Sequence, residues 1–226
     1  MESLQCCGIE QVFDDNLAAT EVKRHRMRGP RKTTQVLIDY LAAQGLAGAT
    51  VLDVGGGVGA LHQALLAAGA GRATDVDASA AYLRAAKSEA LRKGVLERIS
   101  FLHGDFVALA PTIDAADIVT LDRVICCYDD AESLVALSAA RARRYYALVY
   151  PWDSPLARAF SVLLNGMRRL QRTFYRSYIH PRARVEDILR ANGLERQFLR
   201  RAGLWQVAVY ARVRPPGSSS PLSSPA

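Results

Sequence analysis

The apolar positions fall into two regimes along the chain. Residues 10–28 carry few apolar anchors (Val12, Phe13 and Leu17) and read as one polar helix. Gly29-Pro30 breaks it, because glycine and proline both disfavour helical continuation. A second helix starts at about Arg31, with Val36, Leu37, Tyr40 and Leu41 at helical spacing, and Gly45 and Gly48 end it. From there short apolar runs alternate with amphipathic stretches. TVLDV is a buried strand and residues 58–68 a helix. RATDVD is a second strand, and residues 79–93 a helix with Ser79 as N-cap. RISFLH and ADIVTLD are the third and fourth strands, residues 130–141 a helix, and RYYALVY the fifth strand. Strands alternating with helices predict an α/β protein whose mostly parallel sheet is covered on both faces.

After Pro151 the rhythm changes. Residues 154–180 are long for a connection. Their first half places Leu156, Phe160, Leu163, Leu164, Met167 and Leu170 on one stripe, interspersed with Arg158, Arg168, Arg169 and Arg172. A stripe of this kind is expected to pack on the sheet or to lid a pocket. Pro181 opens a further helix to about Gly193. ERQFLRR and LWQVAVYARV then form two strands separated by Ala202-Gly203, an antiparallel hairpin. Residues 214–226 are Pro/Ser-rich and are expected to be disordered. The expected organisation is a helical cap over 1–44, a main domain over 45–213 with a helical lid at 154–180, and a tail.

No run is long and apolar enough to predict a membrane span. The first residues lack a basic region followed by an apolar one, so no secretory leader is expected and the protein is expected to be cytoplasmic. Half of the 226 residues are hydrophobic, and the net charge is +7. That charge is uneven. Residues 141–214 hold 16 Arg, no Lys and 4 acids, a balance of +12, whereas residues 1–140 carry −5. An arginine-only excess points to an anionic partner: a carboxylate or phosphate substrate, a nucleic acid or a membrane surface. The cysteines form two adjacent pairs, Cys6-Cys7 and Cys126-Cys127, which are expected to stay as thiols.

The stretch LDVGGGVG (52–59) places glycines after the first strand. Gly55-x-Gly57-x-x-Ala60 satisfies a dinucleotide fingerprint, but no Lys-Ser/Thr follows, which excludes a P-loop. Asp53 sits two residues before Gly55, where a pyrophosphate would otherwise lie. Its charge disfavours a dinucleotide and favours a cationic cofactor with an ammonium and a sulfonium. Gly55, Gly57 and Gly59 let the backbone approach a ligand. Asp77 ends the second strand, where a carboxylate accepts from ribose hydroxyls. Asp105 and Phe106, in HGDF after the third strand, are placed for an adenine amino group and ring.

VLDVGGGVG, TDVDAS, HGDF and ADIVTLDRV together resemble the class I S-adenosylmethionine-dependent methyltransferases over roughly residues 45–213. The resemblance implies a Rossmann-like, doubly wound sheet of seven strands, mostly parallel with an antiparallel last strand. It also implies S-adenosyl-L-methionine as cofactor, held by Asp53, Gly55, Gly57, Gly59, Asp77, Asp105, Phe106 and Asp122. Two stretches, LDRVICCY and FYRSYIHPRARVEDILRANGL, resemble the magnesium-protoporphyrin O-methyltransferases. This chain differs from that group in having Cys126-Cys127 where the group carries a histidine, and in residues 1–30.

Methyl transfer requires alignment of the acceptor, and a base only where the acceptor starts protonated. The expected acceptor is small and anionic or amphipathic, methylated at oxygen. Its walls are expected from the N-terminal helices, the segment after the fourth strand and the insertion. His180 is a candidate base, with a capping or hinge role as the alternative, and Tyr128 is a candidate for orienting the acceptor. The chain lacks an amino-methylation motif of the NPPY kind, an RNA-binding module and a Cys-Pro nucleophile, which argues against nucleic acid. Peripheral membrane contact through the 156–170 stripe is the remaining alternative. A further alternative is that the two cysteine pairs meet around a soft metal or metalloid, although neither has the usual zinc spacing.

Overall fold

The computed structural model describes residues 4–170 and 175–213. Three helices come first, α1 (Leu4–Val12), α2 (Asp15–Arg28) and α3 (Lys32–Ala42). The predicted helix over 10–28 is therefore two helices. Asp14 adopts extended backbone and its carboxylate accepts from the Leu17 amide, which starts a new helix there. The α/β part runs β1 (Thr50–Val54), α4 (Ala60–Ala67), β2 (Arg72–Asp77), α5 (Ala80–Arg92), β3 (Ile99–His103), α6 (Phe106–Leu109), β4 (Ala116–Asp122), α7 (Ala131–Ala140) and β5 (Ala142–Pro151). Then come α8 (Pro155–Leu170), α9 (Arg182–Ala191), β6 (Leu194–Ala202) and β7 (Trp205–Arg212). The hairpin turn is Gly203-Leu204, one residue later than expected, with Ala202 paired to Trp205.

The seven strands lie in the order β3-β2-β1-β4-β5-β7-β6. Strands β1 to β5 pair in parallel, and β7 is antiparallel to both β5 and β6. The strand order reverses between β1 and β4, so the helices leaving their carboxyl ends diverge and open a crevice there.

Alternating side chains feed two core layers. Leu52, Val119, Leu121, Leu148 and Tyr210 point to one face, covered by Leu134 and Val135 of α7 and Leu189 of α9. Val51, Ile118, Ala147, Val149 and Val207 point to the other, covered by Leu37 and Leu41 of α3 and Leu65 of α4. Burial on both faces explains why β5 reads as an unbroken apolar run.

Helix α8 departs from expectation. Of the predicted stripe, Leu156, Leu163 and Met167 are 84, 61 and 51 % exposed and so pack neither on the sheet nor over the pocket, whereas Leu164 is half-buried; Val162, outside the stripe, is 73 % exposed. Polar contacts on the opposite side hold the helix instead. The Ser161 hydroxyl and the Asn165 amide both donate to the Ser177 carbonyl at 2.7 Å. The expected disordered tail lies outside the described residues.

Candidate active site

The crevice at the strand ends forms a partly open cleft of about 260 Å³, lined by residues that follow β1, β2, β3 and β4 and roofed by the N-terminal helices. Its floor is the glycine turn after β1. Gly55 has φ +67, and a Cβ there would lie 2.5 Å from the Val124 side chain. At Gly56 a Cβ would lie 2.3 Å from Asp75 Oδ1. Both positions therefore exclude any larger residue. Gly59 is the N-cap of α4, so the turn runs directly into a helix.

Asp77 grips this turn. Its Oδ2 accepts from the Gly57 amide at 3.0 Å and its Oδ1 from the Ser79 amide at 2.8 Å. Burial pushes its carboxyl up to about 6, against the two backbone bonds that lower it. The Ser79 hydroxyl donates to the Phe13 carbonyl at 2.6 Å, which ties the end of the N-terminal cap to β2. Phe13 then packs edge-on against Tyr82 and Tyr175, each at 5.6 Å between centroids, and lines the cleft with Ile9.

Beneath the glycine turn lies a buried acid–imidazole–acid cluster. His62 Nδ1 donates to Asp53 Oδ2 at 2.9 Å, and Thr120 donates to Asp53 Oδ1 at 2.7 Å. His62 Nε2 stands 4.0 Å from Asp75 Oδ2. Asp75 is fully buried, and its two oxygens lack a hydrogen-bond partner. Burial, reinforced by Asp53 and Asp77, pushes its carboxyl up to about 8 although His62 opposes this.

The far end of the cleft is lined by Glu21, Arg24, Arg31, Thr34, Asp122 and Arg123. Glu21 pairs with both Arg24 and Arg31. Thr34 donates to Asp122 Oδ2, while Asp122 Oδ1 is buried without a hydrogen-bond partner. Arg123 stacks on Trp205 at 4.4 Å and donates to the Thr33 hydroxyl at 2.9 Å. Its Nε is buried without an acceptor, 3.9 Å from Asp122 Oδ1. Arg123 adopts φ +65, the one non-glycine residue in the left-handed region among the described residues. That backbone turn lets its side chain reach the cleft as its amide donates to the Val149 carbonyl at 2.7 Å.

Residues 51–144 match a family model described as a methyltransferase domain. Over that stretch the chain is similar to a methyltransferase domain. A ribosomal protein L11 methyltransferase from Alteromonas mediterranea is 34 % identical over 122 residues, which are 51 % of this chain and 42 % of that protein. The chain thus covers less than half the length of that relative. Among solved structures, magnesium protoporphyrin IX methyltransferase from Synechocystis with bound S-adenosylhomocysteine superposes with a TM-score of 0.72 at 21 % identity, covering 92 % of this chain and all of that one. Mitomycin 7-O-methyltransferase superposes with a TM-score of 0.60 at 22 % identity, covering 90 % of this chain and 60 % of that one. At these identities the likeness is one of fold.

Asp53, Gly55, Gly57, Asp77, Asp105, Phe106 and Asp122 all line the cleft, whereas Gly59 is not among its lining residues and caps α4. Their individual roles differ from the sequence expectation at three points. Asp53 is buried and accepts from His62 on one oxygen and from Thr120 on the other. Tyr128 lines the cleft, but its hydroxyl donates to both oxygens of Asp105 at 2.7 and 2.8 Å. It therefore fixes Asp105, which also caps α6 through the Val107 amide. His180 does not line the cleft. Its Nε2 donates to the Tyr128 carbonyl at 3.1 Å, and burial holds its pKa below the ordinary value. With Tyr178, whose amide donates to the Cys126 carbonyl at 2.8 Å, it fastens the 175–180 segment to the turn after β4. The base role expected for His180 gives way to this tether.

Sequence reasoning missed His62, Asp75 and the arginines of the N-terminal cap. A histidine on an apolar helix and an aspartate in mid-strand leave no motif. Arg24 and Arg31 are contiguous with ordinary surface charges, and only the turn at Gly29-Pro30 brings them to the cleft.

Proposed function

We propose that the protein is an S-adenosyl-L-methionine-dependent methyltransferase that methylates an oxygen of a small anionic or amphipathic acceptor, with a carboxylate as the preferred group. The residues present fit the cofactor. The glycine turn gives close backbone approach, Asp77 can accept from ribose hydroxyls, and the phenyl ring of Phe106 lines the cleft beside Asp105. The orphaned Asp122 Oδ1 and Arg123 Nε are a buried acceptor and a buried donor side by side. They suit the ammonium and carboxylate of an amino-acid head group, and not a second nucleotide. When bound, the cofactor supplies a methyl group activated by its sulfonium charge.

The observation that carries the acceptor class is the set of arginines at the far end of the cleft. Arg24, Arg31 and Arg123 line it, and the one carboxylate between the first two, Glu21, is already bound by both. This end binds and orients an anion, and guanidinium groups favour planar carboxylates. A carboxylate brings its own lone pair, so no base has to remove a proton. That agrees with the engagement of Tyr128 by Asp105 and of His180 by a backbone carbonyl. Alignment and water exclusion then account for the chain's own part in catalysis. The structural similarity to a protoporphyrin methyltransferase favours an amphipathic tetrapyrrole carboxylate among possible acceptors.

The test is transfer of labelled methyl from S-adenosylmethionine to a panel of tetrapyrrole and aromatic carboxylates, neutral phenols and RNA. Base-labile methyl ester on the carboxylates is expected. Transfer only to phenols or only to RNA would overturn the acceptor assignment.

The exposed face of α8 supports a second reading, in which the acceptor is collected from a membrane surface. Leu156, Val162, Leu163 and Met167 face outward, and the helix carries Arg158, Arg168 and Arg169 with no acid. Co-sedimentation with anionic vesicles, lost when these four residues become serine, is the expected result. Equal sedimentation of the variant would exclude it.

A further inference from the structure

The turn after β4 contains a feature that the methyl-transfer reading leaves unused. Residues Ile125–Cys127 form a single 3₁₀ turn that presents two adjacent cysteines. Their Cα atoms are about 3.8 Å apart by covalent geometry, and their sulfurs are no further apart, at 3.7 Å. The two side chains therefore converge. Cys126 is buried, and Cys127 is half-buried and lines the cleft. Cys127 Sγ also lies 2.9 Å from the Tyr175 hydroxyl. The Arg168 guanidinium covers the Tyr175 ring at 4.7 Å, and Phe13 packs on its edge. Cys127 thus touches Tyr175 and also lines the cleft.

Two kinds of chemistry suit paired sulfurs, and the spacing separates them. A disulfide requires the sulfurs to close to about 2.05 Å, here within a two-residue ring. Chelation requires no such closure. A centre about 2.3 Å from each sulfur spans roughly 3.4 to 3.8 Å between them, from a pyramidal to a tetrahedral angle. The observed separation lies in that range, and a pyramidal centre asks the sulfurs to close by only a few tenths of an ångström. Among the described residues, no group of three or more His, Cys, Asp or Glu side chains is placed to hold a metal ion. A four-ligand zinc site is therefore not formed by them, and the fitting ligand is one that two thiolates satisfy. A trivalent arsenic atom bearing one organic substituent meets that condition, because the carbon fills its third valence.

We propose that Cys126 and Cys127 form a two-sulfur site for monosubstituted trivalent arsenicals, and that filling it obstructs the cofactor cleft. In the binding step, R–As=O reacts with two thiols. Two As–S bonds form, the bonds to oxygen break, and the two thiol protons leave with that oxygen as one water. The arsenic stays trivalent and no oxidant is consumed. The surroundings favour the first attack. The Cys126 thiol donates toward Cys127, and with the Tyr175 hydroxyl and the Arg168 charge it lowers the Cys127 pKa, while Cys126 is raised. The second sulfur then closes the chelate at high effective concentration. Because Cys127 lines the cleft together with Asp77 and Tyr128, an organic substituent on the arsenic is placed to occupy that space. The obstruction, unlike the binding itself, rests on that cleft holding the cofactor.

The experiment uses phenylarsine oxide and the full chain carrying Cys6→Ser and Cys7→Ser, which removes the other adjacent pair. Intact mass is expected to show one equivalent bound with loss of one water. The adduct should survive millimolar 2-mercaptoethanol and be released by 2,3-dimercaptopropanol. N-ethylmaleimide mapping should find Cys126 and Cys127 protected, a readout that needs no further variant. Adding Cys126→Ser or Cys127→Ser should make the adduct removable by the monothiol. Loading should weaken S-adenosylhomocysteine binding at least tenfold in titration calorimetry. No adduct, an adduct removed by monothiol from the intact pair, or labelling of Cys126 and Cys127 in the loaded protein would overturn the site. A stable adduct with unchanged binding of S-adenosylhomocysteine would overturn the obstruction. Failure of the unloaded protein to bind S-adenosylhomocysteine would instead count against the proposed function and against the obstruction built on it.

Discussion

Replacing Asp75 by asparagine should stabilise the protein in a manner that grows with pH. Asp75 is fully buried under the glycine turn, with Asp53 and Asp77 nearby and His62 Nε2 at 4.0 Å. Its carboxyl titrates at about 8 in the fold, against about 3.9 in an unfolded chain. Between those values the native state keeps a proton that the unfolded state releases. Stability is then fully present below about pH 4 and falls as pH rises through 8, by ~1.4 kcal/mol per unit. The whole window amounts to roughly 5 kcal/mol, a large share of the stability of a domain. Asparagine is close in shape and does not titrate. Urea unfolding of wild type and D75N at unit steps from pH 4 to pH 9 measures the effect. The difference in unfolding free energy should rise in favour of D75N up to pH 8 and then level off. A pH-independent difference would refute the reasoning, since it would mean that Asp75 titrates alike in both states.

Three further expectations concern the cleft. Asp77 must be ionised to accept from both the Gly57 amide and a ribose, and it titrates at about 6. S-adenosylhomocysteine affinity measured by calorimetry should therefore fall about tenfold from pH 8 to pH 5, with D77N weak and flat across that range. Tyr128→Phe removes a bond to a carboxylate and should cost about 1.5–3 kcal/mol in urea unfolding, with weaker cofactor binding; unchanged values in both would exclude the Asp105 clamp. Gly55→Ala meets a left-handed backbone and the Val124 side chain, and should lose about 2–4 kcal/mol. Val124→Ala should restore only the steric part in a double-mutant cycle.

Much of the fold can be read in the sequence because the glycine turns and the apolar runs are local. LDVGGGVG places a turn after β1, and the buried runs of β4 and β5 mark interior strands. The break at Asp14 was hidden because the cap is a single aspartate in an otherwise polar stretch. In the cleft, the residues with a motif could be located but not their partners. Asp105 is legible, yet its bond to Tyr128 spans the gap between β3 and the turn after β4. His62 and Asp75 acquire meaning only when α4 is folded against β2. The α8 stripe misled because amphipathicity reports a face without saying what lies opposite it. The arginine-rich final third suggested where anions bind, whereas the cleft takes two of its three arginines from the N-terminal cap.

The position of β7 bears on how the chain is made. It is the last of the described strands to leave the ribosome, yet it lies inside the sheet between β5 and β6. Until residue 212 emerges, the long apolar edge of β5 has no neighbour on that side, and Tyr146, Leu148 and Tyr150 lack their cross-strand partners Tyr210, Ala208 and Gln206. An unpaired apolar edge invites pairing with other chains. The nascent protein thus passes through a stage in which the cofactor-binding half is complete and its flank is open. Its yield in the cell is expected to depend on how long that stage lasts.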